Sequence, residues 1–296
     1  MTYERSEILL ETIEKVFSQN RPPSKLLVVD NSESDKTKLV IDKLVDKRID
    51  YLRLGNNAGP AGAAKIGLQQ LANEGYDWIY WGDDDDPPHF PDTFEKMLTD
   101  IESDKIGIIG ATGNRFSRLT GELIRVRQDD ISAALREGKK WLSVGSVAGN
   151  QAMIINSKVV QQGILPDPQF FFGLEELDYC LRVKASGFSI LAHTELFNRS
   201  RIKFNRINYT RPIYSPFPAE KLHREYYSIR NGVFLLIRQG LWFGLILKVF
   251  KSILKIFLGF KLGFSYGIRN AELIILGLMH GWTRKMFRAN LPVKWE

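Results

Sequence analysis

The sequence predicts an α/β fold, a mostly parallel sheet flanked by helices, with a helical extension at the carboxyl end. Three observations lead to this prediction. Short apolar runs alternate with amphipathic stretches over the first half of the chain, which is typical of strand–helix–strand units. Several apolar runs end in Asp, Asn or Gly, where ligands bind in such sheets. From about residue 220 the chain changes to apolar stretches broken by single Lys or Arg residues.

The elements of the first half follow from the spacing of apolar residues. Helical spacing predicts a helix over 8–17, and the run Lys25–Val29 predicts a buried strand. The other elements expected here are a polar helix over about 36–47, a strand at Tyr51–Leu54, a glycine-rich loop at 55–62 opening a helix that ends near Asn73, and a strand at Asp77–Trp81.

The middle of the chain is less regular. Strands are predicted at 106–111, 123–127, 146–155 and 189–192, and helical spacing in the second half of 170–182 predicts a helix that ends at Gly187. A boundary is predicted near Ala219, after three prolines. Residues 1–219 then form the main domain, and residues 220–296 form a basic, apolar helical tail.

Composition limits the classes of protein that fit. With 44% hydrophobic and 25% charged residues, the 296-residue chain is globular. Its single cysteine, Cys180, excludes an internal disulfide and a cysteine-based zinc site. The polar start, Met1–Arg5, lacks the apolar core of a signal peptide, so a cytoplasmic location is expected.

The net charge of +7 suits an anionic partner. Nucleic acid is not favoured, because the basic residues interleave with a long apolar tail rather than a stacking platform.

An acidic run, Asp83–Asp86, follows the apolar stretch Trp78–Trp81 and precedes two prolines. Adjacent carboxylates repel one another, so a fold that keeps them near a buried strand favours a bound cation. A hard ion such as Mg²⁺ or Mn²⁺ takes one or two carboxylates plus phosphate oxygens from a substrate. The alternative is a solvated acidic turn before a proline stop.

Five blocks of sequence, taken in order, resemble a family-2 glycosyltransferase of the GT-A fold. They are TYERSE, LLVVDNSESD, LGNNAGPAGAAKIG, YDWIYWGDDDD and FFFGLEELDYCLR, and the resemblance covers roughly residues 2–200. The last two blocks are most similar to the galactofuranosyl- and rhamnosyltransferase-like branch. The resemblance implies an inverting, metal-dependent transfer from a UDP-galactofuranose or dTDP-rhamnose type of donor. The implied acceptor is a glycan or a lipid-linked sugar in cell-surface polysaccharide synthesis.

The resemblance also assigns roles within the acidic run. In the family, the first aspartate of the motif contacts the ribose side of the nucleotide, and the last binds Mn²⁺ or Mg²⁺. Counting forward from Asn57 places these roles at Asp83 and Asp85, with Asp83 also near the metal and Asp84 beside the nucleotide. Counting back from the later Pro-Asp pair places them at Asp84 and Asp86. The first register is preferred, because the preceding strand then matches without an insertion.

Other matched positions are expected to bind the nucleotide. Asp30 matches the family residue that hydrogen-bonds the base, and its alternative is a turn or cap residue. The remaining candidates are Thr2, Tyr3 and Arg5, in the loop that wraps the base and ribose, and Asn57 and Gly59, in a loop whose backbone approaches the nucleotide.

Glu176 is the candidate catalytic base, in the acidic pair Glu175–Glu176. An inverting mechanism needs a carboxylate that takes the proton from the acceptor hydroxyl. The family usually has Asp at one or both positions, so two glutamates are a departure. The alternative is a pair of solvated acids at a helix start, where the helix dipole favours them.

Two further departures bear on activity. The family's later histidine ligand has no counterpart here, and His193 is expected to be a packed histidine. The resemblance also implies a first core strand ahead of TYERSE, which the sequence from Met1 does not contain. Either the recorded start is too late, or the sheet lacks an edge of its nucleotide pocket. Both departures keep open a second hypothesis, a nucleotide-sugar-binding scaffold with impaired catalysis.

The tail is expected to lie on an anionic membrane, at the inner face of the cytoplasmic membrane. Apolar runs between Leu241 and Phe264 are too short to span a bilayer. Lys248, Lys251 and Lys255 share one helix face and the opposite face is apolar, as in interfacial helices. Residues 272–288 repeat this character. The alternative is a core helix packed on the catalytic domain with its lysines outward.

Overall fold

The computed structural model describes residues 1–101, 104–210, 212, 214–289 and 291. The chain forms two compact units, here called the sheet unit and the helical unit. The sheet unit comprises Met1–Arg115, Arg125–Pro168 and Glu176–Tyr209, and the helical unit comprises Phe116–Ile124, Gln169–Glu175 and Thr210–Glu296. The boundary predicted near Ala219 falls inside the helical unit and stays a prediction.

The strands were largely placed by the apolar runs of the sequence. In chain order they are β1 (Leu26–Asp30), β2 (Ile49–Arg53), β3 (Trp78–Trp81), β4 (Ile106–Gly110), β5 (Asn114–Phe116), β6 (Leu123–Arg125), β7 (Trp141–Ser143), β8 (Met153–Asn156) and β9 (Ser189–His193).

The helices follow the amphipathic stretches. In chain order they are α1 (Ser6–Phe17), α2 (Lys36–Ile41), α3 (Gly59–Asn73), α4 (Thr93–Leu98), α5 (Gln128–Arg136), α6 (Ser157–Gln161), α7 (Glu175–Ala185), α8 (Thr194–Lys203), α9 (His223–Arg238), α10 (Trp242–Gly259) and α11 (Phe264–Thr283).

The α/β fold is confirmed, and its main sheet is mixed. β1 and β2 form a parallel pair of their own. Five strands form the larger sheet in the order β3-β8-β4-β9-β7, in which β4 and β9 are parallel and the other neighbours are antiparallel. In the part of the chain that the structure describes, β1 and β3 each leave one edge without a partner strand.

Two predicted elements are shorter than expected. The helix predicted over 36–47 ends at Ile41, and Asp46 accepts hydrogen bonds from the main-chain and side-chain nitrogens of Arg48 to form a turn. The strand predicted over 146–155 is extended only at Met153–Asn156. Ahead of it, the Gln151 side chain accepts from the Ala148 N–H and closes a helical turn.

In the helical unit, Asn231 holds a strained loop. The loop residues Phe171 and Leu174 have left-handed backbone angles, with φ of 57° and 67°, which cost roughly 1 kcal/mol or more each. The fully buried Asn231 donates its amide hydrogens to the carbonyl oxygens of Phe170 at 2.8 Å, Phe172 at 2.9 Å and Gly173 at 2.6 Å. One amide thereby satisfies several buried acceptors and fixes the loop.

The orientation of α10 corrects the prediction for the tail. Lys251 and Lys255 pair with Glu122 at 2.5 Å and Glu225 at 2.6 Å. The Lys248 side chain lies against Gly232, and burial lowers the pKa of Lys248 to about 8. Lys248 and Lys255 therefore pack within the helical unit, instead of facing outward as expected, whereas the Lys251 side chain is 51% exposed.

The opposite face of α10 is apolar and exposed. Its members are Trp242, Phe243, Ile246, Phe250, Ile253, Leu254 and Phe257. Over the described residues, none of the helices has both the length and the apolar character needed to cross a membrane.

The contacts of Asn231 lead to a prediction for stability. Replacing Asn231 by Leu removes the side-chain donor from the carbonyl oxygens of Phe172 and Gly173, whereas Phe170 keeps its hydrogen bond from Arg230. We expect the free energy of unfolding to fall by about 3 kcal/mol. Chemical denaturation measures the change, and Asn73→Leu, at an exposed residue at the end of α3, is the control. Equal stability of the two variants would contradict the anchoring role.

Candidate active site

The acidic run lies directly after β3, and its four carboxylates have different surroundings. Asp84 is 1% exposed, whereas the side chain of Asp85 is 42% exposed. Burial raises the pKa of Asp83 to about 6, with its acidic neighbours adding to the effect. Burial also raises the pKa of Asp86. The run is therefore not a uniformly solvated acidic turn.

Asp84 joins the run to the amino end of the chain. Its Oδ2 accepts from the Thr2 hydroxyl at 2.6 Å, and its Oδ1 lies 2.5 Å from the Arg5 guanidinium. The Thr12 hydroxyl of α1 donates to the main-chain oxygen of Asp84 at 2.6 Å. Both oxygens of the Asp84 carboxylate therefore have partners within the protein. Arg5 also pairs with Asp85.

The loop containing Thr2, Tyr3 and Arg5 is also tied to the end of β1. Thr2 forms a parallel bridge with Asp30. Glu4, at a left-handed φ of 53°, accepts from the N–H groups of Glu33 and Ser34 at 2.9 Å. The half-buried Tyr3 lies between these two attachments. The predicted nucleotide loop is thus held beside the acidic run.

Asp30 lies at the carboxyl end of β1 and is fully buried. One carboxylate oxygen accepts from the Ser32 N–H at 2.8 Å, and the other accepts from the Tyr51 hydroxyl at 2.7 Å. The turn contact considered for Asp30 from the sequence is therefore present. Each carboxylate oxygen has further lone pairs, so this contact does not exclude a hydrogen bond to a ligand.

Asn57 and Gly59 shape the loop that opens α3. The Asn57 side chain accepts from the Gly59 N–H at 3.0 Å, and Gly59 has a φ of 72° that favours glycine. Asn31 accepts from the Ala58 N–H at 3.0 Å and so links this loop to the end of β1. Asn31 was not identified from the sequence, where it reads as an ordinary loop residue.

Glu176 faces Asp83 across Gly149. Its Oε1 accepts from the Gly149 N–H at 2.5 Å. A Cβ atom at Gly149 would lie 3.0 Å from Glu176 Oε1 and 3.4 Å from Asp83 Oδ2, so the glycine leaves room for both carboxylates. Gly149 was also missed, because an isolated glycine gives no pattern in the sequence.

The surroundings of Glu176 suit proton transfer near neutral pH. Burial raises the pKa of Glu176 to about 7, and the charges of Asp83 and Asp86 add to this, against the Gly149 hydrogen bond. A carboxylate with a pKa near the working pH is the type that acts as a general base. Glu175, the first residue of α7, belongs to the helical unit and is buried.

His193 has a structural role. It is buried, and its Nδ1 accepts from the Leu196 N–H at 3.3 Å at the start of α8. Burial lowers the pKa of His193 to about 4.

The carboxylates of the acidic run other than Asp84 fit a hard divalent cation that takes its further ligands from a bound substrate. Within the described ranges, no cluster of three or more His, Cys, Asp or Glu side chains is arranged to hold a metal ion. The preferred register assigns the metal to Asp83 and Asp85. The Asp84 carboxylate instead contacts Thr2 and Arg5. Mg²⁺ and Mn²⁺ need only one or two carboxylates when phosphate oxygens and water complete the shell.

The comparisons with known proteins agree with this geometry. The profile described as glycosyl transferase family 2 matches residues 1–158. The galactofuranosyltransferase GlfT1 of Mycolicibacterium smegmatis is 25% identical over 261 residues, covering 81% of this chain and 82% of that protein. The succinoglycan biosynthesis protein ExoO of Rhizobium meliloti is 25% identical over 139 residues, covering 44% and 39%.

Two solved structures share the fold. The mannosyltransferase PcManGT from Pyrobaculum calidifontis, in complex with GDP-Man and Mn²⁺, gives a TM-score of 0.56 at 12% identity, over 96% of this chain and 86% of that one. GalNAc-T7 with UDP, GalNAc and Mn²⁺ gives 0.50 at 15% identity, over 63% and 40%. The predicted glycosyltransferase fold and the likeness to the galactofuranosyl branch are both confirmed.

The contrast between Asp84 and Asp85 gives a matched pair of variants. Asp84→Ala leaves Arg5 and Thr2 without their buried partner, so we expect a loss of about 2 kcal/mol in the free energy of unfolding. Asp85→Ala removes an exposed carboxylate and should change stability by less than about 0.5 kcal/mol. Sugar transfer should nevertheless be lost in Asp85→Ala. Thermal melts and transfer assays on both proteins check this. If Asp84→Ala were stable and Asp85→Ala unfolded, the structural role would belong to Asp85 instead of Asp84.

Proposed function

This chain belongs to glycosyltransferase family 2, and we propose that it moves a sugar from a nucleotide-diphosphate donor to a glycan or lipid-linked acceptor with inversion at the anomeric carbon. The single observation that carries the proposal is the pairing of Glu176 with Asp83 around Gly149. It puts a candidate base with a near-neutral pKa beside the candidate donor site.

Glu176 is proposed as the catalytic base. Its carboxylate takes the proton from the acceptor hydroxyl while the acceptor oxygen attacks the anomeric carbon and the bond to the diphosphate breaks. The Gly149 N–H holds Oε1 in one position, which leaves Oε2 for the acceptor hydroxyl. The burial that raises the pKa of Glu176 also makes the carboxylate a stronger base than an exposed glutamate.

The donor is proposed to lie along the ends of β1 and β3. Asp30 and the Thr2–Arg5 loop contact the nucleoside, and Asp83 faces the ribose and diphosphate. Mn²⁺ or Mg²⁺, held by Asp85 and Asp83, would neutralise the charge of the departing diphosphate. The structural use of Asp84 supports this register over the alternative of Asp84 and Asp86.

UDP-galactofuranose is the proposed donor, and the similarity to GlfT1 supports this choice over dTDP-rhamnose. The similarity to ExoO, a succinoglycan biosynthesis protein, supports a role in cell-surface polysaccharide synthesis. A nucleotide-sugar-binding scaffold with impaired catalysis stays the competing hypothesis. An enzyme would consume the donor in the presence of Mn²⁺, and a scaffold would bind it unchanged.

We also propose that the helical unit lies on the inner face of the cytoplasmic membrane through the apolar face of α10. Large side chains such as Phe250 and Phe257 are exposed on that face, and an exposed aromatic patch of this kind marks an interaction surface. Exposed Lys261 and Arg269 follow α10 and add an attraction for anionic lipid. Burial of apolar area, rather than the lysines of α10, is the main source of affinity.

Replacing Glu176 by Gln tests the base. The amide keeps the shape of the side chain but does not accept a proton, so we expect turnover to fall by roughly 10²-fold or more while donor binding survives. In the wild-type protein, kcat/KM should decrease as the pH falls through about 7, because the protonated Glu176 is inactive. Product analysis by NMR should show inversion at the anomeric carbon.

Two further variants sharpen this test. Glu14→Gln, at an exposed position on α1, should have wild-type turnover. Glu175→Gln separates the two members of the acidic pair. A large loss of turnover in Glu175→Gln together with normal turnover in Glu176→Gln would move the base to Glu175, and product of retained configuration would refute the inverting mechanism.

The double substitution Phe250→Asp and Phe257→Asp tests the membrane surface. Each buried Phe side chain contributes about 2 kcal/mol, so we expect at least a tenfold drop in co-sedimentation with vesicles containing phosphatidylglycerol. Wild-type binding should persist at 0.5 M salt, because apolar burial is insensitive to screening. Leu39→Asp is the control, since Leu39 is 60% exposed on α2 and Phe250 is 58% exposed. Absence of wild-type binding at low salt would remove the membrane proposal.

A further inference from the structure

One segment of the sheet unit, residues 202–209, carries basic and apolar side chains and is exposed along its whole length. It covers the carboxyl end of α8 and the turn that follows, and it is called here the basic segment. Between Glu195 and Tyr209 the sequence contains several Arg and Lys residues but no further Asp or Glu. The exposed large apolar side chains of the basic segment are Ile202, Phe204, Ile207 and Tyr209.

Asn205 gives the basic segment a defined shape. Its φ of 50° is left-handed, a conformation that Asn adopts more readily than most residues. The Asn205 N–H donates to the Ile202 carbonyl at 3.0 Å, and the Arg206 N–H donates to the Arg201 carbonyl at 2.7 Å. This pair of hydrogen bonds is the Schellman motif that ends many helices. The chain therefore leaves α8 in a fixed turn instead of a frayed end.

Two further contacts hold the basic segment in place. The guanidinium of Arg125, at the end of β6, donates to the main-chain oxygens of Arg206 and Tyr209. The Lys203 ammonium donates to the His89 carbonyl at 2.7 Å, and the rings of His89 and Phe204 meet edge-on with their centroids 4.6 Å apart. These contacts fix the backbone while the apolar side chains of the segment stay exposed.

The basic segment borders the acidic run. Burial lowers the pKa of His89, and the charges of Lys203 and Arg206 act in the same direction. The charge of Asp86, at the end of the acidic run, opposes this change in the pKa. His89 therefore senses both the cations of the basic segment and the last carboxylate of the run, so the two surfaces are neighbours within the sheet unit.

An anionic bilayer is the partner that uses both kinds of side chain on this surface. Lys and Arg attract the phosphates of lipid headgroups, and aliphatic and aromatic side chains enter the boundary between headgroups and acyl chains. A phosphorylated sugar in solution would use the cations but would gain little from exposed isoleucines. Nucleic acid would use the cations and an aromatic ring, and it would likewise leave the isoleucines without a contact.

We propose that the basic segment is a docking surface for anionic lipid, which holds the sheet unit against the membrane beside the acidic run. Lys203 and Arg206 pair with headgroup phosphates, and Ile207 and Tyr209 enter the interface. This inference rests on the proposed membrane location, but it uses a surface of the sheet unit instead of the apolar face of α10. Charge supplies much of its affinity, so salt weakens this contact more than the contact through α10.

The double substitution Lys203→Gln and Arg206→Gln tests the cations in the full-length protein. Each cation near an anionic surface strengthens binding by a factor of roughly five, so we expect binding to phosphatidylglycerol vesicles to weaken by about tenfold or more. Lys43→Gln with Lys47→Gln is the control, because both lysines are exposed on the sheet unit and the change in net charge is the same. The control should bind within about twofold of the wild-type protein, and the difference between the two variants should vanish at about 0.5 M salt.

A fluorescent label supplies a second readout that does not depend on removing charge. Ile207→Cys places a reactive thiol in the basic segment, and the native Cys180 is buried. An environment-sensitive fluorophore at position 207 should shift its emission to the blue on phosphatidylglycerol vesicles. The same label on Val45→Cys, at another exposed position of the sheet unit, should not shift. Thermal melts establish that each variant is folded.

The outcomes separate this proposal from the others. Equal vesicle binding by the two charge variants at low salt, or unchanged emission at position 207, would overturn it. Normal vesicle binding with a loss of transfer only to a phosphorylated acceptor in solution would also overturn it, because the cations would then bind substrate. If Phe250→Asp with Phe257→Asp bound normally while the Lys203 and Arg206 variant bound weakly, the α10 surface would be rejected and the basic segment retained. Vesicle binding requires no catalysis, so an inactive scaffold would give the same result.

Discussion

The candidate site depends on the burial of Asp84. A carboxylate that is 1% exposed must be paired, because an isolated buried charge is very costly. Thr2 and Arg5 supply the partners, and Thr12 binds the main chain of the same residue. These contacts bring the amino end of the chain, α1 and the end of β3 to one place. Because these contacts occupy the Asp84 carboxylate, the proposed metal ligands are its neighbours Asp83 and Asp85.

Near Asp84, two further carboxylates lie in buried surroundings. Asp83 and Glu176 lie on either side of Gly149, and their pKa values are raised to about 6 and about 7. Two such groups titrate together rather than one by one. Folding raises both pKa values, so the folded protein binds more protons than the unfolded chain. The free energy of unfolding therefore decreases as the pH rises through these pKa values. A cation beside Asp83 relieves part of this repulsion, so the site favours a charged ligand.

The sequence was sufficient for the fold class, most strands and the residue types of the site. Asp83–Asp86 and Glu176 were found because carboxylates after a buried strand and at a helix start are unusual. Two registers fit the same spacing in the sequence, and the contacts of Asp84 favour the proposal that Asp83 and Asp85 are the metal ligands. Gly149 was not predicted, because its role is to leave room for the two carboxylates and this has no sequence pattern.

The helical tail shows a different limit of sequence patterns. Helical periodicity correctly separated the lysine face of α10 from its apolar face, but it does not tell which face packs inward. The partners of Lys251 and Lys255, Glu122 and Glu225, are distant in the sequence. The pair of Lys255 with the buried Glu225 shows that part of the charged face packs inward.

The amino group of Met1 has an electrostatic consequence as well as a structural one. It donates to Gly82, and its positive charge opposes the rise in the pKa of Asp83 that burial causes. A peptide N–H at the same place keeps the hydrogen bond but carries no charge. Chains that differ only in what precedes Met1 would therefore differ in the net charge around the acidic run, and the uncharged form would attract a divalent cation more strongly. The Met1 ammonium is thus part of the charge balance of the acidic run, as the guanidinium of Arg5 is.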